Sequence, residues 1–268
     1  MSNHTLSAKM PVLFVGHGSP MNAVESNAFT NSLRKLGREL PRPQAICVIS
    51  AHWVTRGSRV QASAWPRTIH DFYGFRKPLY KLQYPAPGAP DRAKRLAFEN
   101  HLVPDQDWGL DHGAWSLLRH LYPNADVPVF QLSLDQTRTF PEHLALGREL
   151  QKLRERGVLI LGCGNLVHNL HKMNWKTPQA AYPWATEFDQ QVQQAIERHD
   201  LNKFAAPERW GATLLANAHP TLEHFAPVLY SLAAANPSDE VSYPYEGIEF
   251  SSISMRTALF KPAAPAVS

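Results

Sequence analysis

His17, His52 and His168 each stand just past a run of apolar residues: VLFVG leads into His17, AICVIS leads to His52 with one alanine between, and VLILGCGN leads to His168. Gly16 and Gly18 flank His17, and Gly162 and Gly164 precede His168, so the backbone there can turn sharply and approach a ligand. Imidazole is both a metal ligand and a proton carrier near neutral pH. One histidine past a strand is usually an ordinary hydrogen-bonded residue; three in equivalent positions point to a metal or catalytic centre, even without a local signature such as His-Glu-x-x-His. Two further places compete for membership. In Asp111-His112-Gly113-Ala114-Trp115, Asp111 can orient a ring and Gly113 can open a helix, while His219 and His224 bracket a helix start at Pro220-Thr221 that puts His224 in the first turn. His70 with Asp71 is ambiguous. His4, His101, His120, His143, His171 and His199 fall in the tail or on helical and loop surfaces and receive no role.

Histidines past strands converge only if the strands end on one edge. The runs at 12–15, 45–49, 127–132 and 158–161 are continuously apolar without alternation, as strands buried on both faces require, and this predicts a mostly parallel or mixed central sheet under two helical layers. In such sheets the ligand crevice lies beyond the carboxyl ends of the strands. Apolar spacing of three to four predicts helices over 28–36, 91–99, 114–121, 141–155 (with Gly157 as its cap), 186–199 and 221–235. The alternation argues for one α/β domain over 1–268, ordered over roughly 10–260. Residues 64–90 form a long loop dense in Pro, Gly and aromatics, of the kind that is functional more often than idle. A last strand is expected at 249–255, before a disordered Pro/Ala end.

The composition, 44% hydrophobic and 19% charged, excludes a disordered chain. The net charge of +4 is interspersed and forms no basic run, so no nucleic-acid partner is expected. No apolar stretch approaches the roughly 20 residues of a membrane span, and no signal segment is evident. The two cysteines, Cys47 and Cys163, sit in apolar runs; they are expected as buried reduced thiols of a cytoplasmic protein and are too few for a zinc ribbon. Oligomeric state is left open.

Taken in order, GHGSPMN (16–22), SAHW (50–53), HDFYGF (70–75), YPAPG (84–88), DHGAW (111–115), GNLVHN (164–169), YPWATEF (182–188) and GIEFSSISM (247–255) form a set that resembles the class III extradiol ring-cleavage dioxygenases. Within that class it resembles the 4,5-DOPA extradiol dioxygenase branch, related to the protocatechuate 4,5-dioxygenase β subunit. Each motif is short, but the ordered set is specific and covers nearly the whole chain. The resemblance implies a non-haem Fe(2+) enzyme that opens a catechol ring, L-DOPA or a similar catechol, beside its two hydroxyls with both atoms of O2. His17 and His52 match two metal ligands, and His224 in EHFAPVLY matches the third. His168 matches a histidine beside the metal, acting as acid/base or as a further ligand. His112 matches a second active-site histidine near substrate and O2.

The wider class uses two histidines and a carboxylate; here His224 takes the third position, with Glu223 expected on another side of the helix. An all-imidazole set also suits Zn(2+). On the long loop, Phe72, Tyr73 and Phe75 are expected to cover an aromatic ring, Arg76 or Lys77 to meet a carboxylate, and His70 to touch substrate. Two other readings stand beside the dioxygenase: a zinc-dependent hydrolase on the same histidines, and a non-catalytic metal-binding interaction protein.

Overall fold

In the computed structural model, which describes residues 9–263, the four apolar runs become four neighbouring strands, because helices cover both faces of the sheet and their apolar positions at 12–15, 45–49, 129–132 and 158–161 are all buried. His4 and the expected Pro/Ala end beyond residue 263 lie outside the described residues. In chain order the elements are β1 (Val12–Gly16), α1 (Ala28–Glu39), β2 (Ala45–Thr55), β3 (Arg59–Gln61), α2 (Pro90–Glu99), β4 (Val103–Asp105), α3 (His112–Leu121), β5 (Val129–Asp135), α4 (Phe140–Glu149) and α5 (Gln151–Glu155). They continue with β6 (Val158–Gly164), α6 (Pro183–Glu197), α7 (Leu201–Ala205), α8 (Ala212–Ala218), α9 (Ala226–Ala234), β7 (Glu240–Tyr245), β8 (Ile248–Glu249), β9 (Ile253–Ser254) and β10 (Thr257–Lys261).

Eight strands form one mixed sheet in the order β4-β3-β5-β2-β6-β1-β10-β7. The central four, β5, β2, β6 and β1, are parallel to one another, whereas β3 runs antiparallel to β5 on one side and β10 and β7 add an antiparallel flank on the other. Side chains alternate across the strands, so Phe14, Cys47, Ile49 and Ile160 join one core with Leu144, Phe188 and Leu229 of α4, α6 and α9. Leu13, Ile46, Val48 and Leu161 join the other with Leu33 and Leu36 of α1 and Trp115 and Leu118 of α3. The result is the single α/β domain with a helix-flanked mixed sheet that the periodicity predicts.

Several boundaries differ from expectation, each for a local reason. The helix expected over 221–235 begins at Ala226: Pro227 fits only a first helical turn, so residues 220–225 form turns instead. The helix expected over 141–155 breaks at Leu150, whose N–H bonds to Gly147 three residues back. Only Gly157 keeps its expected turn, at φ +73°. The strand expected at 249–255 is a hairpin, β8 with β9, reversed through Phe250 and Ser251 at φ +50° and +67°. The apolar stretch after it, β10, inserts into the main sheet beside β1, and it was not foreseen because the adjoining Pro/Ala composition masks it. β2 runs to Thr55, so His52 lies inside a strand, near its carboxyl end. None of the described helices is long and apolar enough to cross a membrane.

Candidate metal centre

Because β2, β6 and β1 are adjacent and parallel, their carboxyl ends share one edge, and their histidines meet there. His17 follows β1 directly, with Gly18 at φ +59° turning the chain away and the His17 N–H bonded to Gly164 O at 3.1 Å. The pairing of β2 with β5 slips between Ile49 and Val54, which frees the segment carrying His52 from regular sheet geometry. His224 is carried by the turn before α9. That turn packs against the end of β6 so closely that a Cβ on Gly164 would stand 2.3 Å from His224 O. His112 opens α3, whose N-terminus is held by Asp111: its carboxylate accepts from the Ala114 N–H at 3.1 Å, Ser50 Oγ at 2.7 Å and Gln131 Nε2 at 2.8 Å. A Cβ on Gly113 would sit 2.9 Å from the His52 ring, so glycine is what lets α3 come this near.

The ligand atoms of His17, His52 and His224 lie within 4.8 Å of one another. His17 Nε2 and His52 Nε2 face each other at 3.0 Å, and His17 Nδ1 is buried without a hydrogen-bond partner. Metal–nitrogen bonds of about 2.1 Å at right angles put two ligand nitrogens about 3 Å apart, so this pair has the spacing of neighbouring ligands. His224 Nδ1 is engaged by Glu223 Oε1 at 3.2 Å, which leaves Nε2 available. The His168 ring lies flat on His224, with centroids 3.5 Å apart and planes 4° from parallel. Asp71, on the long loop, places Oδ2 3.2 Å from His52 Nδ1 and 3.0 Å from His112 Nδ1, and its Oδ1 accepts from the His112 backbone N–H at 2.8 Å.

Burial sets the protonation of the cluster. Desolvation, then the charges of neighbouring histidines, holds His17 and His224 well below the usual imidazole value. His52 is held down to about 3 by burial and by His112, against an opposing pull from Asp71. Burial takes His168 to about 4. For Asp71, burial raises the carboxyl, but His112 and His52 outweigh it and keep it low. At neutral pH His17, His52, His168 and His224 are therefore neutral imidazoles beside a carboxylate, a donor set that fits a divalent cation.

A family model described as the catalytic LigB subunit of aromatic ring-opening dioxygenase matches residues 6–260. The chain belongs to this family. An Escherichia coli (strain K12) protein named 4,5-DOPA dioxygenase extradiol is 46% identical over 259 residues, covering 93% of this chain and 94% of that one. A Beta vulgaris protein of the same name is 36% identical, covering 85% and 87%. Among solved structures, an uncharacterised Escherichia coli K12 protein superposes with a TM-score of 0.82 at 39% identity, over 93% of this chain and 99% of that one. Membership in the LigB family makes the chain an extradiol ring-opening dioxygenase, a metal-dependent class, and sets aside the non-catalytic reading.

Against that family background, the structure brings His17, His52, His112, His168 and His224 to one place. Phe72 joins them, its ring edge-to-face with His112 at 5.5 Å. His70 bonds with its Nε2 2.9 Å from Leu82 O, and Tyr73 is 92% exposed. Arg76 and Lys77 are exposed on the same loop. Three expectations are corrected. Asp111 caps α3, and the carboxylate beside the His112 ring is Asp71; Glu223 lies in a turn against His224 and does not face away across a helix. His120 and His143 are buried, bonded to Asn22 O and Tyr230 Oη, and not on the surface. Asp71 and Glu223 each adjoin a histidine in sequence, but adjacency cannot tell which ring a carboxylate meets. A cavity of about 400 Å³ between the C-terminal ends of α1 and α3 lies apart from the centre, whereas one of about 380 Å³ reaches Glu223.

Proposed function

We propose that this chain opens a catechol ring beside its two hydroxyls, incorporating both atoms of O2, with L-DOPA or a similar catechol as substrate and a divalent metal, Fe(2+), held by His17, His52 and His224. The observation that carries the reading is the Nε2-to-Nε2 approach of His17 and His52 with His224 beside them, at the strand edge of a ring-opening dioxygenase fold. Iron bound there would supply the redox chemistry that lets triplet O2 react with a singlet aromatic ring.

The chain's own residues do the rest. His112 presents Nε2 as base for a catechol hydroxyl, since its Nδ1 faces Asp71. His168 is a neutral imidazole at pH 7, so it accepts a proton before it returns one. His224 would hold the metal, and the stacking of the His168 ring flat on it supports His168 as proton carrier over ligand. Phe72 offers an aromatic wall beside His112. His70 and Tyr73 belong to the same loop and are assigned to substrate contact with it. Two buried free thiols, Cys47 and Cys163, favour a reducing, cytoplasmic setting.

An all-histidine set also suits Zn(2+), which would make the site hydrolytic. The test is oxygen consumption. Protein loaded anaerobically with Fe(2+) should consume O2 when mixed with L-DOPA and form a yellow product, and the Zn(2+) form should not. Equal turnover by the zinc form, or no O2 uptake by either form across a panel of catechols, overturns the redox reading.

A further inference from the structure

We infer that Asp71 is a positioning residue that serves two histidines at once, fixing the ring nitrogen that His52 offers to the metal and the one that His112 offers to the substrate. The inference rests on the roles proposed above for those two histidines. Its basis is that one carboxylate oxygen, Oδ2, stands 3.2 Å from His52 Nδ1 and 3.0 Å from His112 Nδ1. The other oxygen, Oδ1, accepts the His112 backbone N–H at 2.8 Å, so the carboxylate cannot rotate without giving up that bond. The Asp71 side chain is only 21% exposed, and the two imidazole centroids lie 4.0 Å apart with their planes tilted by 54°. A fixed anion near both Nδ1 atoms favours the tautomer of each imidazole that carries its proton on Nδ1, and this leaves both Nε2 lone pairs free. For His52, Nε2 is the atom that faces His17 Nε2. Asp71 thus ties metal holding to proton transfer through one side chain, in the way carboxylates orient the histidine ligands of metal sites.

The chemistry of the amide shows why a carboxylate is needed. In an asparagine at this position, an oxygen in the Oδ2 place puts the NH2 group against the His112 N–H, two donors facing each other. The flipped amide turns the NH2 toward both Nδ1 atoms and removes the acceptor the rings need. Neither orientation serves all three partners.

Asp71→Asn is therefore expected to weaken Zn(2+) binding 10- to 100-fold, measured by chelator competition without turnover. It should also lower kcat at saturating Fe(2+). His112→Gln should lower kcat and leave Zn(2+) affinity within about twofold of the parent, which separates the two arms. Imidazole 15N spectra of the Zn(2+) form should show His112 as a single Nδ1–H tautomer in the parent and a tautomer mixture in Asp71→Asn, with circular dichroism reporting that the fold is kept. Parent-like Zn(2+) affinity in Asp71→Asn, or an unchanged His112 tautomer, overturns the inference. If Asp71→Asn does not fold, Asp71→Ser is measured in the same way, against the same two criteria. Should the parent never open a catechol, the proposed function fails, while the zinc titration and the spectra still decide the role of Asp71.

Discussion

At His17 and His52 two ring nitrogens meet at 3.0 Å in a pocket where burial keeps both imidazoles neutral, an arrangement short of partners until a cation sits between them. His17→Ala and His52→Ala are each expected to lose stoichiometric metal, read by elemental analysis, with far-UV circular dichroism unchanged. One metal per chain retained in both would remove them from the ligand set. The stacked His168 differs. His168→Ala is expected to keep its metal and lose about 10²- to 10⁴-fold in kcat, the usual worth of a positioned acid or base; parallel loss of the metal would make it a ligand. The histidines themselves were legible from their places after strands. Asp71 was not, because it lies 41 residues from His112, across a loop whose path no periodicity describes.

At the scale of elements, the centre exists because backbones come unusually close. The turn carrying His224 rests on the end of β6 where Gly164 leaves room, α3 rests on β2 where Gly113 leaves room, and Cys163 Sγ donates to Gly113 O at 2.7 Å beneath that contact. Gly164→Ala would drive a methyl to 2.3 Å from a carbonyl oxygen. Overpacking of this kind costs about 1–3 kcal/mol, and here the part displaced carries His224. A lower denaturation midpoint together with weaker metal binding is expected; a parent-like value of both would show that this contact does not set the turn. Sequence reading recognised Gly164 as a point of close approach and Gly113 only as the opening of a helix. It misplaced His224 in a helix because apolar spacing extends upstream of Pro227, where the backbone itself cannot remain helical.

For the molecule as a whole, the buried histidines make stability depend on pH. His168, His219 and His143 are each held down to about 4, chiefly by burial, and His52 to about 3. Unfolded, each takes up a proton near 6.5; folded, it does not until far lower pH, so below 6.5 the unfolded chain binds more protons. Stability from these groups is complete above about pH 6.5 and is lost as pH falls toward 4. For the fully buried His219 the full span is worth about 3.5 kcal/mol at about 1.4 kcal/mol per pH unit. Metal-stripped protein should therefore show a urea midpoint that drops between pH 7 and pH 5, and added metal should raise the midpoint at pH 7 by mass action. A flat midpoint over that range would contradict the burial of neutral histidines.

The sequence by itself determined the fold class, the four central strands and the places of His17, His52 and His168, since burial on both faces of a strand and a position just beyond it are written in local residue order; His112 and His224 joined them only through the resemblance to the ring-cleavage dioxygenases. Tertiary structure alone decided that β2, β6 and β1 stand side by side, that Asp71 rather than Asp111 faces His112, and that Glu223 turns toward His224. The reason is that strand order and the path of a 27-residue Pro- and aromatic-rich loop, residues 64–90, are set by how side chains pack between distant segments. No local spacing encodes that.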